Sequence, residues 1–197
     1  MTHITYKTDG LVLGRINVGE SDQYVALFTR ELGLVQARAR SVRKEPSKLR
    51  YHLQELKYGE VLLVRGKNVW RIIGARSSWN SFYIFCQDPL KKALVRRYLR
   101  LLKRLLQGEG EQRELFTLVE EGFIFLRDES LDGDLLQNFE YLLVLRTLLL
   151  LGYVGERDAL SEMFRTRSFD KEILAQISPL RQVAVLEINR ALRESQL

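Results

Sequence analysis

The strongest chemical signal in this sequence is a cluster of positive charge, ARARSVRKEPSKLR, at residues 37–50. It holds six cations and one acid in fourteen residues. Like charges this close repel one another in the folded state, so a negatively charged partner is expected to compensate them. The cluster therefore predicts a surface that binds a polyanion through phosphate contacts. Its basic residues are Arg38, Arg40, Arg43, Lys44, Lys48 and Arg50.

Strand alternation within residues 34–42 predicts how the cluster is presented. Successive side chains of a strand point to opposite faces, so Arg38 and Arg40 should project together. The other cations follow in a loop that Pro46 makes irregular. The opposite face should carry mostly Val35, Ala37, Ala39 and Val42.

Aromatic residues near the cluster add a second feature of surfaces that bind single-stranded nucleic acid, because aromatic rings stack on bases. For Trp70, and for Phe28, burial in the core is the favoured interpretation. Phosphate contacts carry no sequence information, so binding specific to a base sequence is not expected. The aromatic candidates are Tyr24, Tyr51, Tyr58 and Trp70.

Catalytic and metal-binding patterns are missing from the sequence. His3, His52 and Cys86 are the only histidines and cysteine, too few for a four-ligand zinc site. The acidic stretch DESLDGD at 128–134 has Phe139 where a calcium loop needs a bidentate acid, so it is interpreted as a turn that caps the next helix. No phosphate-binding P-loop is present. We therefore predict a protein that is not an enzyme and has no cofactor or metal.

Charge is distributed unevenly along the chain. Net charge is +6, and residues 1–79 carry 14 Lys and Arg against 7 Asp and Glu, whereas residues 80–197 carry 17 against 18. A single cysteine excludes an intramolecular disulfide and is typical of a reducing compartment. The longest apolar run is far shorter than the roughly 20 residues that span a bilayer. The sequence thus predicts a cytoplasmic protein without a membrane segment.

The N-terminal part is predicted to contain five strands, at residues 10–18, 23–30, 34–42, 60–66 and 69–79. Arg65–Asn68 is interpreted as a hairpin connection in which Gly66 supplies a positive φ. Leucines in SKLRYHLQEL, residues 47–56, predict one or two helical turns between the third and fourth strands. Five strands with this helix match an OB-fold, a small barrel that binds oligonucleotides. An SH3-like barrel remains open from the pattern alone.

After residue 88 the hydrophobic period becomes helical. Asp88 and Pro89 predict the start of a helix over Leu90–Leu106, with an apolar and a basic half. A second helix should end near Arg127, a central one should span 135–151, and Ser178 should cap the last one. The predicted class is α+β, with an OB-fold domain over residues 1–80 and an all-α domain over 81–197. The basic half comprises Lys92, Arg96, Arg97, Arg100, Lys103 and Arg104.

The first 70 or so residues also carry a family resemblance. They resemble the N-terminal domain of the RecO family, recombination mediators of bacterial DNA repair, and residues 138–153 resemble the family's central helix. Ser41 stands where the family usually has glycine, and the cysteine cluster of zinc-bearing members is absent. The marks of the family are Gly19-Glu20-Ser21-Asp22, Phe28-Thr29-Arg30, Gly33, Ala39-Arg40, Ser47 and Leu53-Gln54.

The resemblance implies an OB-fold that binds single- and double-stranded DNA and anneals complementary strands. It further implies a helical domain that binds the acidic C-terminal tail of single-strand-binding protein. Together with RecR, such a protein helps RecA to load onto DNA, in the cytoplasm and associated with the nucleoid. Tyr51 and the basic cluster would contact DNA, and the basic half of the 90–106 helix would extend that surface or attract an acidic peptide. The alternative is an OB-fold protein that binds RNA or associates with ribosomes.

Overall fold

The structure is a computed structural model of the chain, and it describes residues 4–67, 69–80, 85, 87–155, 160, 163–164 and 168–195. His3, Asn68 and Cys86 lie outside the described residues, and so do the parts of the predictions that involve them. The chain divides into two compact units. The OB unit comprises Met1–Gln87 and Leu106–Arg113, and the helical unit comprises Asp88–Leu105 and Glu114–Leu197.

Five strands of the OB unit close into a ring in the order β1-β2-β3-β5-β4. Neighbouring strands pair antiparallel, except for the parallel pair β3 and β5. One helical turn, α1, lies between β3 and β4. This architecture confirms the predicted OB-fold. The elements are β1 (Thr5–Val18), β2 (Asp22–Thr29), β3 (Gly33–Ala39), α1 (Leu49–His52), β4 (Lys57–Arg65) and β5 (Trp70–Asn80).

Alternation of small apolar and basic residues explains how β3 lines the core. Val35, Ala37 and Ala39 are fully buried, and Val42 follows them into the same cluster. Arg38 is half-buried and Arg40 is exposed. The predicted division of this strand into an apolar and a basic face is therefore confirmed.

Three strand boundaries differ from the prediction by three residues or more, and one of them is the start of β4, which lies at Lys57 instead of residue 60. β1 begins at Thr5, earlier than expected, because its first half pairs with β4. β3 ends at Ala39, and Ser41 adopts a left-handed φ of 51°, which is incompatible with a continuing strand. The expectation of a positive φ at Gly66 was wrong, because Gly66 is not among the described residues that have one. A Cβ atom at Gly66 would lie 2.6 Å from the carbonyl oxygen of Val69, so close backbone approach explains this glycine.

The segment Leu106–Arg113 leaves the first long helix and pairs with the turn between β2 and β3. The backbone N–H of Leu34 donates to the oxygen of Gly108 at 3.0 Å, and that of Gly110 donates to Leu32 at 3.1 Å. Gly33 has φ 66°, and a Cβ atom there would lie 2.3 Å from the carbonyl oxygen of Gly110. Only glycine fits both the conformation and the space at this position.

Two helices of the helical unit begin at the aspartates that the sequence predicted as caps. Asp88 accepts hydrogen bonds from the N–H groups of Leu90 and Lys91 at 3.0 Å, which confirms its predicted role. Asp132 caps the central helix in the same way, as predicted for the acidic stretch 128–134. The elements are α2 (Pro89–Leu105), α3 (Arg113–Asp128), α4 (Gly133–Leu150), α5 (Lys171–Ile177) and α6 (Arg181–Glu194).

The predicted cap of the last helix was wrong. Ser178 ends α5 and starts the 3-10 turn Ser178–Leu180, which leads into α6. Its hydroxyl accepts a hydrogen bond from the side-chain amide of Asn138 at 3.0 Å. Proline at the second position of this turn accounts for the sequence signal that was mistaken for a helix start.

The central helix α4 is buried on most sides, as its composition predicts. Asn138 on this helix is fully buried and donates to the oxygen of Leu174, while its own oxygen accepts from Arg181 at 2.7 Å. These bonds stabilise the helical unit because a buried amide without partners would be costly. Within the part of the chain that is described, no helix is long and apolar enough to cross a membrane.

Candidate nucleic-acid interface

Arg38 stands on the outer side of β3, beside the start of β2. Its Nε and Nη2 atoms lie 2.8 and 2.7 Å from Oδ2 of Asp22. The Arg38 side chain keeps about a third of its surface accessible, at 36%. The ion pair therefore orients a guanidinium that remains open to a further anion.

Asp22 organises the turn that follows β3 as well as Arg38. Its Oδ1 atom accepts the backbone N–H of Ser41 at 2.7 Å. This hydrogen bond first, and Arg38 second, hold the pKa of the Asp22 carboxyl below its usual value of 3.8. Asp22 is therefore ionised at neutral pH and holds the chain where it turns out of the sheet.

Arg43 ties the same turn to the connection between β1 and β2. Its backbone N–H donates to the oxygen of Ser21 at 3.0 Å, and its Nη1 donates to the oxygen of Gly19 at 2.9 Å. The guanidinium is exposed apart from this contact. A turn between β1 and β2 is one of the two loops that flank the nucleic-acid site of OB-folds.

The remaining cations of the cluster are exposed. Arg40, Lys44 and Lys48 lie in consecutive turns, and Arg50 lies in α1. Backbone bonds from Lys44 to Ser41, from Ser47 to Lys44 and from Arg50 to Ser47 shape this loop. No side-chain hydrogen bond or ion pair joins these cations to other residues in the described ranges. We call the following set the basic track: Arg38, Arg40, Arg43, Lys44, Lys48 and Arg50.

Tyr51 continues the basic track at its C-terminal end and is 57% exposed. The buried ammonium group of Lys57 lies 3.0 Å from the centroid of one face of its ring. A cation on one face of an aromatic ring leaves the exposed part available for stacking. Tyr24 and Tyr58 are half-buried.

Trp70 cannot stack on a base. Only 4% of its surface is exposed, its ring packs edge-on against Tyr6, and its indole N–H donates to Glu109 at 2.8 Å. Phe28 is fully buried. The favoured interpretation of both residues as core is therefore confirmed.

A row of side chains across four strands was missed by the sequence prediction. Ile16 lies opposite Tyr24, Tyr24 opposite Arg38, and Arg38 opposite Arg71. Directly opposed residues share a face, so the four side chains form one line across β1, β2, β3 and β5. Ile16 is 67% exposed. We call this line the cross-strand row.

Arg71, like Ile16, was not among the residues predicted from the sequence. It is half-buried, and its Nε atom has no hydrogen-bond partner among the described residues. Its position beside Arg38 depends on the parallel pairing of β3 with β5. Strands so distant in the sequence give no local sign of being neighbours.

Helix α2 carries the second predicted basic surface. Arg97 forms two hydrogen bonds with Glu140, at 2.9 and 2.6 Å. Arg97 is exposed, but its charge is paired with Glu140, and Lys92 is half-buried. The other four predicted cations are exposed along one side of the helix: Arg96, Arg100, Lys103 and Arg104.

His52 lies next to Tyr51, and its ring fixes α1 to β5. Nδ1 accepts the backbone N–H of Ser77 at 3.1 Å and lies 2.9 Å from the Ser77 hydroxyl. Because a backbone N–H can only donate, the ring is neutral with its proton on Nε2. Within the described residues, no group of three or more His, Cys, Asp or Glu is arranged to hold a metal ion.

Ring closure, strand order and the single turn between β3 and β4 place this chain among the OB-fold proteins with an appended helical unit. Residues 1–78 match the family described as "Recombination protein O N terminal". The N-terminal domain of this chain therefore matches the RecO family, which confirms the resemblance seen in the sequence.

Several proteins named DNA repair protein RecO are similar to this chain. The one from Dehalococcoides mccartyi is 43% identical over 72 residues, which is 36% of this chain and 28% of that protein. The one from Clostridium novyi is 31% identical over 143 residues, 72% of this chain and 56% of the relative. The one from Desulfitobacterium hafniense is 32% identical over 159 residues, 80% of this chain and 54% of the relative. The matches thus span about a quarter to just over half of these relatives.

Proposed function

We propose that this chain binds DNA, single- and double-stranded, through the outer side of its OB unit and acts in DNA repair and recombination. The observation that carries the proposal is the juxtaposition of the basic track with the cross-strand row. Arg38 belongs to both and lies opposite Tyr24, so the cations of the basic track are continuous with an aromatic ring on the next strand. The three relatives described above bear the name DNA repair protein RecO, which supports the same role.

Binding would proceed by neutralising phosphates. Each cation that contacts a phosphate releases a condensed counterion, so affinity should fall steeply with salt. Tyr24 and Tyr51 would stack on unpaired bases and favour single strands. Neutralising the phosphates of two strands lowers their mutual repulsion, which is how strand annealing would arise without covalent chemistry.

The second part of the proposal is a role as a recombination mediator. Residues 1–80 would bind DNA and residues 81–197 would bind partners. The exposed cations of α2 would attract the acidic C-terminal tail of single-strand-binding protein or extend the DNA path. Together with RecR, the chain would help RecA to load onto DNA, in the cytoplasm and at the nucleoid. No step of this role requires an enzyme, a cofactor or a metal.

Fluorescence anisotropy with labelled single-stranded DNA, duplex DNA and structured RNA tests the binding proposal. If about six phosphates are contacted, the slope of log K against log salt for single strands should be near −4. Weaker binding to both forms of DNA than to structured RNA would overturn the DNA assignment and favour the RNA-binding alternative. A slope near zero would exclude the electrostatic mechanism.

A separate experiment tests the partner role with the full-length chain. The variant R96E/R100E/K103E should lose binding to the acidic C-terminal peptide of single-strand-binding protein. A matched variant in the basic track, R40E/K44E/K48E, should keep it. Equal loss in both variants would show a non-specific charge effect. Failure of the unmodified protein to anneal strands coated with single-strand-binding protein would remove the mediator role.

A further inference from the structure

Arg65 and Trp70 place two hydrogen-bond donors together at the end of the β4–β5 hairpin. Arg65 is the last residue of β4 and lies directly opposite Trp70 in the sheet. Its guanidinium stands over the Trp70 ring, 5.2 Å from the centroid, and its side chain is 63% exposed. The loop between β4 and β5 is the second of the two loops that flank the nucleic-acid site in OB-folds.

An internal carboxylate occupies this pair of donors. Oε1 of Glu109 accepts the indole N–H of Trp70 at 2.8 Å, and Oε2 accepts from Nη1 of Arg65 at 3.1 Å. The Glu109 side chain is 46% exposed, so the charge lies at the surface. One charged and one neutral donor converging on two oxygens would suit a phosphate as well as a carboxylate.

The backbone holds Glu109 in place without help from its side chain. Residues around it pair with the β2–β3 turn through a bridge between Gly33 and Glu109 and through bonds from Leu34 and Gly110. Gly108 and Gly110 have φ values of 111° and 156°, which this path requires. The backbone pairing therefore presents the carboxylate to Arg65.

We infer that the carboxylate of Glu109 occupies the position between Arg65 and Trp70 that would otherwise bind a DNA phosphate. Bound DNA therefore does not extend to the β4–β5 side of the OB unit. This inference rests on the proposed DNA function. A phosphate that approaches Arg65 meets a carboxylate already bound there, and like charges at this distance repel. DNA is thereby confined to the basic track and the cross-strand row.

The test compares two variants of the full-length chain that remove the same charge from the same segment. In E109Q the new amide oxygen can still accept from Trp70, but Arg65 is released. In the control E111Q the lost carboxylate is one that pairs with Arg113, away from the β4–β5 hairpin. Binding of a single-stranded oligonucleotide is measured by anisotropy over a range of salt, with thermal unfolding of each variant as the check on folding.

E109Q should bind about two- to fivefold more tightly than the unmodified protein, as expected for freeing one exposed cation. Its salt slope should be steeper by about 0.7, for one added phosphate contact. R65A in the E109Q background should abolish the gain. Equal behaviour of E109Q and E111Q, or a gain that survives R65A, would overturn the inference. If the unmodified protein does not bind DNA at all, the proposed function fails first.

Discussion

The two units each carry a dense set of cations but hold them differently. In the OB unit, Arg38 is oriented by Asp22, and Arg43 by the carbonyl oxygen of Gly19. In the helical unit, the positions of Arg96 and Arg100 are set by the regular geometry of α2, and Arg97 is paired with Glu140. Because Arg38 and Arg43 are oriented by the fold and would position a DNA strand, we expect the four exposed cations beside them to contribute more to DNA binding than the four exposed cations of α2, although both sets carry the same charge.

The most direct test of this difference removes four exposed cations from each unit in turn. R40A/K44A/K48A/R50A should weaken single-stranded DNA binding about a hundredfold or more at low salt and reduce the salt slope by about 3. R96A/R100A/K103A/R104A, with the same change of charge, should cost about tenfold at most. Anisotropy titrations measure both. Equal losses would mean that total charge, and not its arrangement, determines binding.

Substitutions at two glycines with positive φ test whether packing of the 106–113 segment stabilises the OB unit. G33A should lower the free energy of unfolding by about 2 kcal/mol or more, because its Cβ atom would meet the oxygen of Gly110 in addition to the conformational cost. G152A in the helical unit has φ 77° and no atom within 4 Å, so about 1 kcal/mol is expected. Urea denaturation distinguishes them, and equal costs would contradict the role of the contact.

Replacing Ser41 by glycine should change the free energy of unfolding in the opposite direction. Its φ of 51° is unfavourable for a residue with a Cβ atom, so S41G should raise the free energy of unfolding by about 0.5–1 kcal/mol. The matched change S195G, at a right-handed residue with φ −74°, should lower it by a similar amount. Calorimetry of both variants measures the difference. A loss of stability in S41G would show that the serine side chain matters more than the backbone.

The smallest effect is expected from His52. Burial, and then the charge of Lys57, lower the pKa of this imidazole from its usual 6.5. The unfolded chain therefore binds more protons, so this contribution to stability is present above pH 6.5 and is lost as pH falls through the folded pKa. Unfolding of the unmodified protein and of H52N from pH 8 to pH 5 should show this dependence only in the former. An identical pH dependence would contradict it.

Local patterns were enough to predict most elements and part of the site. Alternation in β3 identified Val35 and Ala37 as core and Arg38 as outward, and the caps at Asp88 and Asp132 start helices as expected. Such signals depend on neighbours in the chain. The cap assigned to Ser178 and the φ assigned to Gly66 were wrong because a proline and a glycine each fit more than one local geometry.

The sequence by itself determined most of the strands and helices, the resemblance to the RecO family and the composition of the basic track, because each depends on the order of residues along a continuous stretch of the chain. Only the tertiary structure placed Arg71 beside Arg38, since that requires β3 and β5 to pair in parallel. Only the tertiary structure brought Glu109 to Arg65 and Trp70, since the glycines that bend residues 106–113 back to the sheet act through contacts with a turn some 75 residues earlier. Contacts between distant segments follow from how the elements pack, and no local pattern encodes them.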